Sequence, residues 1–105
     1  KTGWGTDMLF NPKNTGSQGR QLAKLTRFYD PLKLLGQATG VNGDLLALSG
    51  ARNPYPGAVG RIAPKAWADL LVVDGNPSTG LDFLADPEKN LKLVMKDGKI
   101  YKNTL

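Results

Sequence analysis

The chain has 105 residues, 40% hydrophobic and 22% charged, with 14 Lys and Arg against 9 Asp and Glu for a formal charge of +5. That is the size of one domain or a piece of one, too apolar for a disordered chain, and it holds no run near the ~20 apolar residues that cross a bilayer. With 0 His and 0 Cys, disulfides, Ser-His-Asp and Cys-His nucleophiles, and a zinc site built by this chain alone are all excluded.

The first ten residues are KTGWGTDMLF. Residues 2–10 read as a short strand or strand end, with Gly3 and Gly5 where backbone turns sharply or approaches a neighbour closely and Asp7 at the exit. On its own, an Asp after Gly-Thr is equally a turn or helix-capping carboxylate. NPKNTGSQG, residues 11–19, is a loop by composition. From Ser17 or Gln18 to about Tyr29, Leu22, Leu25 and Phe28 recur at helical spacing while Arg20, Lys24 and Arg27 take other angles, which predicts an amphipathic helix with a basic flank. Asp30-Pro31 ends it and opens a second helix running to Ala38, with Asp30 as N-cap and Pro31 as first helical residue. Thr39 is placed to cap a third helix through Leu48. Gly40 and Gly43 weaken its start by up to ~1 kcal/mol each relative to Ala, and Gly50 is its natural stop.

RNPYPGAVG, residues 52–60, is a connecting loop. The hydrophobic period then changes. Residues 59–62 and 68–74 read as strands, and the second, ADLLVVD, is a continuous apolar run expected to be covered on both faces. Asp69 and Asp74 flank it as turn or edge residues. Asp74-Gly75-Asn76-Pro77 breaks the run, and residues 81–84 suit one helical turn. Leu91, Leu93 and Met95 then alternate with Lys92, Val94 and Lys96, and Asp97-Gly98 turns the chain into Lys99-Ile100-Tyr101. This is a strong hairpin signal, because a type I′ turn needs positive φ at both central residues.

The positive charges are scattered. Arg20, Lys24 and Arg27 read as a solvated helix face, and Lys92, Lys96, Lys99 and Lys102 as lysines that blunt an exposed edge. Without a recognition motif, neither nucleic acid nor membrane is an expected partner. A lone strand at the start has no ladder partner for its backbone groups, so residues 3–10 suit the edge or last member of a larger sheet.

Taken in order, GTD at residues 5–7, DPLKLLGQATGVNGDLLALSG, GRIAPKAWADLLVVDGNP and LKLVMKDGKIYKN resemble the C-terminal portion of metal-dependent amidohydrolases, in the branch of imidazolonepropionases and Xaa-Pro dipeptidase-like enzymes. The resemblance runs nearly end to end. GTD alone is a weak signal, and the ordered set carries the specificity. One departure lies before ADLLVVD, where that family usually has a glycine after the proline and this chain has Lys65 after Pro64.

The resemblance implies an α+β fragment: the last strand and closing helices of a (β/α)8 barrel over residues 1–50, then the C-terminal half of a small antiparallel β-sandwich over residues 51–105. Asp7 then lies at the mouth of the eighth barrel strand, where such barrels place catalytic groups. It implies Asp7 as both metal ligand and catalytic base, taking a proton from water activated by zinc or another divalent metal and passing it to the leaving nitrogen. The remaining ligands, mostly histidines, come from earlier strands. The expected function is hydrolysis of a carbon–nitrogen bond in a small amide, dipeptide or cyclic amide by the full-length enzyme, with this chain alone inactive and binding no metal. The alternative is a non-catalytic binding or assembly module of the same fold, self-associating through exposed strands. The compartment stays open between cytoplasm and bacterial periplasm.

Overall fold

A computed structural model of the chain describes residues 2–5 and 16–105. The first helix, α1 (Gln18–Lys24), tightens into a 3₁₀ turn at Leu25–Arg27, and the N–H groups of Phe28 and Tyr29 close it on the Leu25 carbonyl. Asp30 then does what its sequence position suggests. Its carboxylate accepts from the Lys33 N–H at 3.1 Å, ahead of Pro31 at the first position of α2 (Pro31–Gly36).

The second helix departs from expectation. Instead of stopping at Ala38, it widens into a π-helical turn, Gln37–Val41, and runs directly into α3 (Asn42–Ala47). Thr39 therefore caps nothing, and its hydroxyl donates back to the Leu35 carbonyl at 2.8 Å. Residues 59–62, expected as a strand, form no strand and cross this rod of helices instead. A Cβ on Gly60 would land on the Thr39 carbonyl oxygen, and one on Gly43 would land on that of Val59. Arg61 holds the crossing, donating to the Gly40 carbonyl at 3.3 Å and pairing with Asp44. A π turn disturbs the normal carbonyl ladder, and an arginine carries donors enough to serve both partners.

The buried centre consists of Leu22, Ala23, Leu34 and Leu81, with Trp4, Leu25, Ala38, Phe83 and Leu84 packed against it. Leu34 and Leu81 are fully buried. This core lies between α1, α2 and a 3₁₀ turn, Asp82–Ala85, the helical turn foreseen near residue 81. A short helix the sequence reading omitted, α4 (Pro87–Asn90), repeats the Asp-Pro opening of α2, with the Asp86 carboxylate accepting from the Lys89 N–H.

Among the described residues three antiparallel strands form one sheet, β1 (Leu70–Val73), β2 (Leu91–Lys96) and β3 (Lys99–Asn103), in the order β1-β2-β3. Leu70 faces Met95, Leu71 faces Val94, and Lys96 faces Lys99 across the hairpin. Asp97 and Gly98 have φ of 50° and 74°, the two positive values that a type I′ turn demands. The middle strand's alternation buries Leu93. By contrast, β1 is shorter than the run ADLLVVD and is not covered on both faces, since Leu71 and Val72 are 52% and 39% exposed.

Candidate functional site

Asp7, the carboxylate the sequence singles out, lies outside the described residues. Its approach is visible, however. Residues 2–5 adopt no regular secondary structure, yet Trp4 is held at both backbone groups by one side chain. Its N–H donates to Asn42 Oδ1 at 3.0 Å, and Asn42 Nδ2 donates to its carbonyl at 2.7 Å. Gly3 is required at this contact because a Cβ there would run into the Asn42 and Leu45 side chains. The chain thus arrives at residue 5 docked on the first turn of α3.

An open groove of about 730 Å³ lies between the helical half and the sheet. Leu35, Ile62, Leu70, Leu71, Phe83 and Met95 make its walls, and Arg61 and Asp69 sit on its rim. Both rim charges are already engaged within the chain. Arg61 is paired with Asp44. Asp69 accepts from the Asp97 N–H at 2.7 Å and from Lys96 Nζ at 3.2 Å.

The Asp97 N–H holds the Asp69 carboxyl below its ordinary range, opposed by burial and reinforced by the hydrogen bond and charge of Lys96. The same hydrogen bond raises the Lys96 ammonium. Lys96 also lies 5.4 Å from the centre of the Tyr55 ring, which meets Trp67 edge to face at 5.7 Å. The loop before β1 is thereby stitched to the hairpin. Asp69 is therefore a structural carboxylate, and Asp74 stands at the other end of β1 with its N–H bonded to the Asn90 carbonyl.

A smaller concavity of about 200 Å³ lies beside α1, among Arg20, Lys24, Arg27 and Asp82. Among the described residues, no group of three or more His, Cys, Asp and Glu is arranged to hold a metal ion. The donor set present thus does not form a metal centre within this part of the chain. Nor, among the described residues, is any helix long and apolar enough to cross a membrane.

A crystal structure of an amidohydrolase matches 98% of this chain at 35% sequence identity, with a TM-score of 0.78. The chain is similar to part of an amidohydrolase. It matches the C-terminal part of that protein and spans 23% of its length. No family model matches the chain, and neither does any curated relative. The matched part is the small α+β fold described above, its three-stranded antiparallel sheet included. The signal the sequence reading missed, Asn42 as a backbone clamp, leaves no local pattern, because its partner lies 38 positions away.

Proposed function

We propose that this chain is the C-terminal segment of a metal-dependent hydrolase acting on carbon–nitrogen bonds, in the imidazolonepropionase and Xaa-Pro dipeptidase-like branch. The observation that carries the reading is the match to an amidohydrolase over 98% of the chain at 35% identity. In this reading residues 1–50 close a (β/α)8 barrel and residues 51–105 contribute half of a β-sandwich. Asp7 supplies a carboxylate to the centre and accepts a proton during hydrolysis of a small amide or dipeptide. The other donors come from outside these 105 residues, and the isolated chain hydrolyses nothing. Zinc or another divalent metal would supply Lewis acidity when bound.

The test is a chimera in which this chain replaces the matched segment of the similar amidohydrolase. The chimera should hydrolyse amide or dipeptide substrates. Asp7→Asn should lower kcat by about 100- to 10,000-fold, the usual contribution of a positioned proton acceptor, with the melting temperature unchanged. A fully active Asp7→Asn chimera would sink the assignment, as would tight stoichiometric zinc in the isolated chain after dialysis. The open apolar groove favours a second reading, a non-catalytic assembly module of the same fold. That reading gains if the chimera folds without activity.

A further inference from the structure

Asn42 is followed by Gly43, and this is the only Asn-Gly pair in the sequence. The side-chain amide carbon of an asparagine is open to attack by the backbone nitrogen of the next residue. Glycine puts no side chain in the way and gives the backbone freedom to bring that nitrogen round. Asn11, Asn53 and Asn76 precede proline, whose nitrogen carries no hydrogen to give up. Asn14, Asn90 and Asn103 precede threonine or leucine, whose side chains crowd the approach. Packing fixes both halves of the reactive pair. The Asn42 amide holds Trp4 at both backbone groups, and a Cβ at position 43 would land on the Val59 carbonyl oxygen. The fold therefore keeps this pair for reasons unrelated to its reactivity.

The same contacts restrain it. Asn42 has helical backbone, with φ −61° and ψ −40°, which directs the Gly43 nitrogen along the helix and away from the side chain. Its Oδ1 accepts from the Trp4 N–H at 3.0 Å, and its Nδ2 is shared between the carbonyls of Trp4 at 2.7 Å and Ala38 at 3.4 Å. Yet the restraint is local. Asn42 is half-buried and stands where the π turn passes into α3, a disturbed point of the carbonyl ladder, and the residues that latch it, 2–5, have no regular structure. We propose that Asn42 is a deamidation site latched by Trp4, and that its modification prevents the latch from closing again. The Gly43 nitrogen loses its proton and bonds to Asn42 Cγ, the Cγ–Nδ2 bond breaks, and ammonia leaves with the proton. Water then opens the cyclic imide at either carbonyl, leaving aspartate or isoaspartate at position 42. Neither product has an N–H to give the Trp4 carbonyl, so acceptor faces acceptor, and isoaspartate also inserts a methylene into the main chain. Residues 2–5 run on toward Asp7. In the hydrolase reading, on which this consequence alone rests, deamidation releases the approach to the catalytic carboxylate.

The test incubates the full chain in mildly alkaline buffer and follows the mass of the tryptic peptide of residues 34–52, with fragmentation to assign the change to Asn42 rather than Gln37. Gly3→Ala places a Cβ against Asn42 Oδ1 and opens the latch. It should deamidate roughly tenfold faster than wild type, the effect of losing partly buried hydrogen bonds. Equal rates in wild type and folded Gly3→Ala would overturn the proposal. Should Gly3→Ala fail to fold, the wild type decides alone. In urea well below the unfolding midpoint, a reaction through local opening keeps a nearly constant rate, whereas one through global unfolding accelerates with the full unfolding slope. The constant rate is expected, and the full slope would overturn the latch. After conversion the Trp4 amide should exchange hydrogen faster than in the unmodified chain, and unchanged protection there would overturn the one-way release. In the chimera, activity should fall in step with the fraction of Asn42 converted. A chimera that hydrolyses amides and keeps full activity after conversion leaves the hydrolase reading standing and overturns the consequence for Asp7.

Discussion

Asn42 and Trp4, 38 positions apart, exchange two hydrogen bonds in which a side-chain amide stands in for the backbone of a neighbouring strand. An amide carries one donor and one acceptor direction suited to a peptide group, and backbone groups that leave water must find such partners. Asn42→Ala should cost about 1–3 kcal/mol, because two half-buried groups lose their partners. Asn42→Asp keeps the acceptor and loses the donor, so it should fall between wild type and Asn42→Ala. Urea unfolding followed by Trp fluorescence measures both. If Asn42→Ala unfolds at the wild-type midpoint, the clamp contributes nothing.

Lys65 has a φ of 68° in a turn closed by the Ala66 N–H on the Ala63 carbonyl at 3.1 Å. Proline followed by a residue of positive φ is the pattern of a type II turn, which glycine accommodates without strain. Left-handed backbone costs a side-chain-bearing residue roughly 1–2 kcal/mol, part of which glycine returns through the greater freedom of the unfolded chain. Lys65→Gly is expected to raise stability by about 1 kcal/mol. Calorimetry showing an unchanged or lowered melting temperature would refute the strain.

The contact between Asp69 and the hairpin makes stability depend on acid. Asp69 is depressed in the folded chain, so its contribution is complete above its unfolded value near 4 and is lost as pH falls through the folded value. Lys96 works in the opposite sense. Its raised ammonium contributes fully below its unfolded value near 10.5 and ceases to do so as pH rises through the folded one. Asp69→Asn retains an acceptor for the Asp97 N–H and removes the charge. Denaturant midpoints recorded between about pH 2 and pH 6 should slope less for Asp69→Asn than for wild type. Parallel slopes would show that other carboxylates carry the acid sensitivity.

Few side chains are fully buried among the described residues, so single truncations there weigh heavily. Leu34→Ala and Leu81→Ala each remove a fully buried side chain and should cost about 2–5 kcal/mol, a large share of the 5–15 kcal/mol typical of a domain. Leu48, at 79% exposure, serves as the control. Leu48→Ala should stay within about 0.5 kcal/mol of wild type. Circular dichroism melts of the three variants separate these cases, and a tolerant Leu81→Ala would contradict the packing described.

What could be read in the residues was whatever is settled within a few positions. Asp30-Pro31 opens a helix because the carboxylate reaches an N–H three residues on, and the same logic, had it been applied to Asp86-Pro87, would have found α4. Asp97-Gly98 makes its turn from its own φ preferences, and Leu91, Leu93 and Met95 declare a strand by alternation. The resemblance to an amidohydrolase was likewise legible in the order of short motifs, while Asp7 as a site residue rests on that resemblance and lies outside the described residues.

Tertiary structure decided the rest. Residues 59–62 have the composition of a strand but lie across α2 and α3, because Gly60 and Gly43 let backbone meet backbone there and Arg61 ties the crossing down. Thr39 looks like a cap and is instead part of a π turn, since its neighbours keep helical partners on both sides. ADLLVVD looks doubly covered, yet Leu71 and Val72 stay partly exposed. The physical reason is common to all three. Local pattern fixes which backbone groups need partners, while the path of the chain fixes which distant groups arrive to supply them.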